Sequence, residues 1–164
     1  MKSLVVYSSQ TGNTRKLAEA VFESLSGEKA ILPVDDAPDP SEYDSIAVGF
    51  WLKGGKPDPK SAEYLGKITQ QALFLFATHG AGAGSDHAIQ GMEFAKSLAP
   101  ESDIRGTYSC QGEVNPKVLE KVSKKPQPPV WLADARDAVG HPNSVDIEVL
   151  KYQISELFLN KNQS

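Results

Sequence analysis

Five short apolar runs, separated by turns and by stretches of helical periodicity, constrain this chain more than any other feature. Leu4–Tyr7 is apolar throughout and reads as a strand buried on both faces. A polar turn, Ser8–Thr14, follows. Leu17, Ala18, Val21, Phe22 and Leu25 then recur at helical spacing, and Gly27 stands where that helix stops. Ala30–Val34 and Ser45–Trp51 read as the second and third strands, and the segment Lys53–Pro59 as loop. Ser61, Leu65 and Ile68 support a short helix. Ala72–Ala77 is the fourth strand, apolar as a central parallel strand should be. Ile89, Met92, Ala95 and Leu98 space a further helix, stopped by Pro100, and Ile104–Cys110 is the fifth strand. A last helix starts near Asn143 or Ser144, with Ile147, Leu150, Ile154, Leu157 and Phe158 as its apolar stripe. Strands that alternate with helices predict a parallel sheet covered on both faces, an α/β fold.

Between Gln111 and Asn143 the pattern is poor. A short helix fits Lys117–Val122, whereas Gln127-Pro128-Pro129-Val130-Trp131 is read as non-helical. The segment is expected either to pack along the sheet edge or to form a lid or docking surface.

The 164 residues suit one domain, 1–164, large enough to bury a core without disulfides. A net charge of −4 argues against nucleic acid as a partner. The one cysteine, Cys110, can form no internal disulfide, and no CxxC spacing marks a metal. No apolar run approaches the length of a membrane span, and the N-terminus lacks the form of a signal peptide. A reduced, cytoplasmic protein is the expectation.

In a parallel sheet, ligands bind at the carboxyl ends of the strands. Three informative loops follow strands here and should gather there: Ser8–Thr14, Trp51–Lys60 and Thr78–Asp86. The first has the chemistry of a phosphate cradle. Ser9, Thr11, Asn13 and Thr14 offer side-chain donors, Gly12 lets an anion approach the backbone, and the next helix points its free N–H groups at the same spot. The same residues would also serve simply to cap that helix. No lysine follows a second glycine, so the loop is not of the Walker type. Neutral donors suit a resident monophosphate better than a transferred one.

The run SLVVYSSQTGNTRKLAEAV resembles the opening of the flavodoxins, whose phosphate loop reads Ser/Thr-x-Thr-Gly-x-Thr; residues 9–14 match every fixed position. The resemblance implies a three-layer α/β/α sandwich, a five-stranded parallel sheet of order 2-1-3-4-5, and FMN as cofactor. It also implies that Ser9, Gln10, Thr11, Gly12, Asn13 and Thr14 hold the phosphate. Trp51, Leu52, Lys53 and Gly54 would flank one side of the flavin ring, with Trp51 stacked on it. Thr78, His79, Gly80, Ala81 and Gly84 would border the other side, and Gln111 and Gly112 would lie at its edge. Many flavodoxins place a tyrosine in the loop after the fourth strand; none occurs here, so the chain resembles a short-chain variant with a divergent second flavin loop. His79 or His87 is then left to cover that face, or a partner is. Cys110 reads as a small packing residue.

Three lysines, Lys53, Lys56 and Lys60, follow Trp51 against Asp58 alone. They predict a less strongly reducing flavin, or an anionic partner or substrate near Lys53 and Lys56. With no convincing acid–base pair, the leading function is an electron carrier that serves redox partner proteins. The alternatives are an FMN-dependent reductase of a quinone-like or other conjugated substrate, and a flavin-free interaction module on the same fold. A phosphorylatable receiver domain is disfavoured, because Ser8-Ser9-Gln10 stands where an acidic cluster would be needed.

Overall fold

The computed structural model describes the backbone of residues 1–159 and the side chains of residues 1–155. Five parallel strands form its centre: β1 (Lys2–Tyr7), β2 (Glu28–Pro33), β3 (Ser45–Lys53), β4 (Ala72–His79) and β5 (Asp103–Gln111). Their order is β2-β1-β3-β4-β5, so the chain steps outward from β1 first to one side and then to the other. That reversal leaves a crevice at the carboxyl ends of β1 and β3, where crossover loops diverge.

Alternation along the strands decides which helix covers which face. Leu4, Val6, Ile46, Val48, Phe50, Leu73 and Leu75 pack with Tyr64 and Leu65 of α2 (Pro59–Leu65) and with Met92 and Ala95 of α3 (Asp86–Ser97). The opposite side chains, Val5, Ala47, Phe74, Phe76, Tyr108 and Cys110, pack with Leu17, Ala18 and Val21 of α1 (Asn13–Ser24) and with Leu150 and Ile154 of α5 (Ser144–Leu159). The result is the three-layer sandwich expected. The side chains of Leu157 and Phe158 lie outside the described residues.

Several local expectations change. Lys53–Pro59 is not all loop: β3 runs on to Lys53, turns at Gly54-Gly55, and returns through a two-residue antiparallel arm, Lys56–Pro57, that pairs with Leu52 and Lys53. Both glycines have positive φ, which makes the two-residue turn possible. Thr78 and His79 belong to β4 rather than to the loop, and Gln111 belongs to β5, because parallel pairing continues to His79↔Gln111. The helical stripe of α3 is Ala88, Gly91, Met92 and Ala95; Ile89 is exposed, one position off the buried face.

The irregular segment acquires structure of its own. Helix α4 (Pro116–Ser123) starts at a proline, with Asn115 accepting from the Lys117 N–H at 2.9 Å. Val130–Arg136 forms a run of 3₁₀ turns, so Val130 and Trp131 are helical after all. Pro129 supplies the fixed φ that enters the first turn, which a proline tolerates because its missing N–H lies before the first bond. No helix among the described residues is long and apolar enough to cross a membrane.

Candidate cofactor site

The cleft lies where the fold places it, over the carboxyl ends of β1, β3 and β4. One wall is Ser9, Gln10, Thr11, Asn13 and Thr14; another is Trp51, Leu52 and Gly54; Thr78, His79 and Gly80 form the base. The far wall comes from Gly112–Asn115, Val118 of α4 and Trp131. His87, at the start of α3, completes the lining.

The first wall is a helix N-terminus left open. In any α-helix the first amides have no intrahelical acceptor. At α2, α3 and α4 a side chain accepts from them: Asp58, Ser85 and Asn115 respectively. Asn143 does the same for Val145 and Asp146 in α5. At α1 the N-cap is Gly12, with φ +90° and no side-chain cap. Ser9 Oγ instead accepts from the Gly12 N–H at 3.0 Å, which fixes the curl of the loop and leaves the α1 amides free. The polar residues of the loop therefore do not cap their own helix, and an external anion is the natural acceptor.

Two of the expected donors are engaged elsewhere. Asn13 Nδ2 donates to the Glu113 carbonyl at 3.0 Å, which ties the loop to the segment after β5. The hydroxyls of Thr14 and Thr78 share a hydrogen bond at 2.9 Å, both buried, so one of the two protons remains for a ligand. The exposed Gln10 and Thr11 and the hydroxyl of Ser9 remain available on the rim. Among the described residues, neither Lys nor Arg lines the cleft.

Gly12, Lys53, Ala81, Gly84 and Gln111 lie outside the cleft wall. Gly12 forms the turn into α1 as its N-cap, with positive φ. Lys53 is exposed on the hairpin. Ala81 is buried and directs its carbonyl at His79. Gly84 borders a separate hollow with Ala88 and Tyr108. Gln111 is buried and donates to the Asp134 carbonyl at 3.4 Å. The lysine cluster also disperses: Lys60 pairs with Asp35 at 2.7 Å, and Lys56 sits 4.8 Å over the Phe94 ring. Only Lys53 of the three remains without a partner among the described residues.

What the sequence did not locate is the far wall. After β5 the chain folds back over the glycine-rich loop, held by the Gly82 N–H donating to Asp134 Oδ2 at 3.1 Å and by the Gly112 N–H donating to the His79 carbonyl at 2.9 Å. A Cβ on Gly80 would lie 2.8 Å from Val114 Cγ2 and 3.3 Å from Trp131 Cε3. The missing side chain at Gly80 is thus what lets Trp131 close against the loop. Two indoles, Trp51 and Trp131, line one cleft.

His79 is 5% exposed. Its Nδ1–H donates to the Ala81 carbonyl at 2.9 Å, which leaves Nε2 as the unprotonated nitrogen, buried and without a partner. Burial pushes its pKa below 6.5, helped by the charge of His87 and opposed by the Ala81 carbonyl. An imidazole held neutral in the fold but free to protonate when unfolded costs stability in acid. As pH falls through 6.5, the unfolded chain binds the proton first and stability drops. Denaturant melts should show this loss below pH 6.5, and His79→Gln should lessen it; an unchanged slope in that variant would contradict the burial of a neutral His79.

Cys110 is buried, and desolvation pushes its thiol up to about 12. Iodoacetamide should leave it untouched in the folded protein near neutral pH and modify it on unfolding. Mass spectrometry of the native protein after treatment decides this; rapid native labelling would refute it.

The chain belongs to the flavodoxin family: the flavodoxin domain model matches residues 4–155. It is 34% identical over 119 residues to the flavodoxin-like domain-containing protein BilS of Clostridioides difficile, a match that spans 70% of this chain and 68% of that one. Among solved structures it is similar to the flavodoxin of Streptococcus pneumonia TIGR4, with TM-score 0.65 and 13% identity over 98% and 99% of the two chains. It is also similar to a flavoprotein of Lactobacillus acidophilus NCFM in complex with FMN, with TM-score 0.53 and 18% identity over 75% and 99%. The family's cofactor is FMN, and an uncapped helix N-terminus beside two indoles fits a phosphate joined to a planar ring.

Proposed function

We propose that the cleft holds FMN and that the chain carries electrons between redox partner proteins. The observation that carries this reading is the open N-terminus of α1 facing the same cleft as Trp51 and Trp131. The α1 amides and the Ser9 hydroxyl would take the phosphate, with neutral donors and the helix dipole matching its charge. Trp51 and Trp131 would cover the two faces of the ring, so Trp131 stands in for the tyrosine absent from the loop after β4. Bound there, FMN supplies the redox chemistry.

The protein's own residues position and shield. Val114, Val118 and Trp131 exclude water from the far wall. The Thr14–Thr78 bond fastens the start of α1 to the end of β4. His79 is held neutral with its one N–H committed to Ala81, so it makes a poor general acid near neutral pH. The dispersal of Lys56 and Lys60 leaves Lys53 alone to favour a reduced, anionic ring, a weak influence at an exposed site. Replacing Lys53 by Gln should therefore move the midpoint potential little, and a large shift by potentiometry would restore the lysine cluster as a determinant.

Purification under native conditions tests the reading. The protein should be yellow, release FMN on denaturation, and take up electrons in two separable one-electron steps. Rapid NAD(P)H oxidation by the protein alone, with turnover of a quinone, would instead establish the reductase. Failure to bind FMN would return the flavin-free module.

A further inference from the structure

The fold leaves one buried acceptor at the base of the cleft unused. His79 lines that base with Thr78 and Gly80. Its Nδ1 lies 2.9 Å from the Ala81 carbonyl, which only accepts, so Nδ1 carries the proton and Nε2 keeps a bare lone pair. Burial holds the pKa below 6.5, so the ring is neutral near neutral pH. Nε2 is closed to solvent, and it is the one buried side-chain nitrogen or oxygen without a hydrogen-bond partner among the described residues. Its polar neighbours are satisfied within the chain: Thr14 and Thr78 bond each other, and Gln111 donates to the Asp134 carbonyl. An orphaned acceptor destabilises the fold that keeps it, and native structures hold few without a reason.

A metal does not supply the reason. His87 lines the same cleft, but among the described residues no group of three His, Cys, Asp or Glu gathers to hold an ion. What the lone pair needs is a donor, brought by the occupant of the cleft. FMN carries two kinds, the imide N3–H of its ring and the hydroxyls of its ribityl chain; its phosphate and its ring carbonyls only accept. We propose that His79 Nε2 accepts a hydrogen bond from an N–H or O–H of FMN, which makes His79 a specificity-determining residue of the cleft. This rests on the FMN reading. The Ala81 carbonyl positions the ring by fixing the tautomer, and Nε2 does the recognising. A donor reaches Nε2 by displacing what covers it as the cofactor seats, and satisfying the orphan offsets that displacement. The α1 amides are donors and suit the phosphate. His79 adds the complementary acceptor.

Nitrogen-15 NMR of the histidine-labelled apoprotein reads Nε2 directly, in the unaltered chain. Adding FMN should move the resonance of the unprotonated Nε2 upfield, as it does when such a nitrogen begins to accept a hydrogen bond. The chain has three histidines, and His87→Gln and His141→Gln assign the other two. Two further variants separate accepting from positioning. His79→Gln sets an amide oxygen near the place of Nε2 and gives up the Ala81 bond; it should keep FMN affinity within about threefold. His79→Asn sets an amide nitrogen near the place of Nδ1, keeps the Ala81 bond and loses the acceptor; its dissociation constant should rise about tenfold. A purely structural role predicts the reverse order. N3-methyl-FMN, and analogues each lacking one ribityl hydroxyl, then identify the donor. The group whose removal weakens binding to the wild type about tenfold, and to His79→Asn not at all, is the one that meets Nε2.

If FMN binds and the Nε2 resonance stays in place, the inference is overturned and the FMN reading stands. The reverse order of the two variants, or the absence of coupling between His79 and every analogue, overturns it as well. If the apoprotein takes up no FMN, the FMN reading fails and the inference falls with it.

Discussion

Replacing Gly12 with Asp should abolish FMN binding at micromolar concentrations while leaving a folded protein. Gly12 is the N-cap of α1 with φ +90°, and a Cβ built on it meets nothing within 4 Å. Bulk is therefore not the main obstacle. A side chain in that backbone region costs about 1–2 kcal/mol, which a domain of this size tolerates. Charge opposes binding more strongly. A carboxylate several ångströms from the phosphate, at the effective dielectric of a protein surface, disfavours the complex by about 3–4 kcal/mol for each phosphate charge. That corresponds to at least a hundredfold loss of affinity. Gly12→Ala separates the two effects: it carries the backbone strain without the charge, so it should lower the melting temperature yet retain FMN within about tenfold. Isothermal titration of the apoprotein with FMN measures both. Retention of full affinity by the Asp variant would remove the phosphate from this loop.

The contrast between α1 and the other helices explains why this loop was legible in the sequence and the far wall was not. A phosphate loop is local: six consecutive residues fix both the curl and the donors, and the following helix is announced by its own periodicity. The two covered faces are likewise recorded in apolar runs, whereas the sheet order 2-1-3-4-5 rested on the resemblance to the flavodoxins. Trp51 could be placed because a strand end points to one edge of the sheet.

The segment from Glu113 to Pro142 follows a different logic. Its position depends on tertiary bonds, such as Gly82 to Asp134 and Glu113 to His141, between residues far apart in sequence. No periodicity encodes them. The absence of tyrosine from the loop after β4 was visible, but the approach of Trp131 was not, because it depends on Gly80, whose missing Cβ admits a tryptophan from 51 positions later. His79 shows the converse error. Its neighbours Gly80, Ala81 and Gly82 look like a loop, yet parallel pairing with Gln111 keeps it in the strand, which buries the imidazole and fixes its tautomer. The lysines after Trp51 misled in a similar way. Proximity in sequence gathers them, whereas the hairpin turn at Gly54-Gly55 sends Lys56 to Phe94, and α2 carries Lys60 to Asp35.

Removal of the second indole should have the other large effect. If Trp131 covers one ring face, Trp131→Ala deletes a stacking contact worth about 1–3 kcal/mol, by analogy with aromatic stacking on nucleobases. The FMN dissociation constant should then rise about 10- to 100-fold. Loss of packing against Gly80 and Val114 would also loosen the far wall, so affinity alone does not separate a stacking role from a structural one. A bulk-retaining substitution does: Trp131→Leu keeps apolar packing against Gly80 and Val114 without a π-face, so a stacking role predicts that it binds FMN as weakly as the Ala variant, and a structural role predicts recovery. Trp131→Phe supplies the rescue, because it restores an aromatic face of smaller area and should recover most of the affinity. Gly80→Ala approaches the same contact from the other side. Its methyl would press on Val114 and Trp131, displace the indole outward, and weaken FMN binding in the same direction but by less. Affinity unmoved by Trp131→Ala would assign the second face of the ring to solvent or to the docked partner, and would leave Trp131 as a packing residue of the 3₁₀ turns.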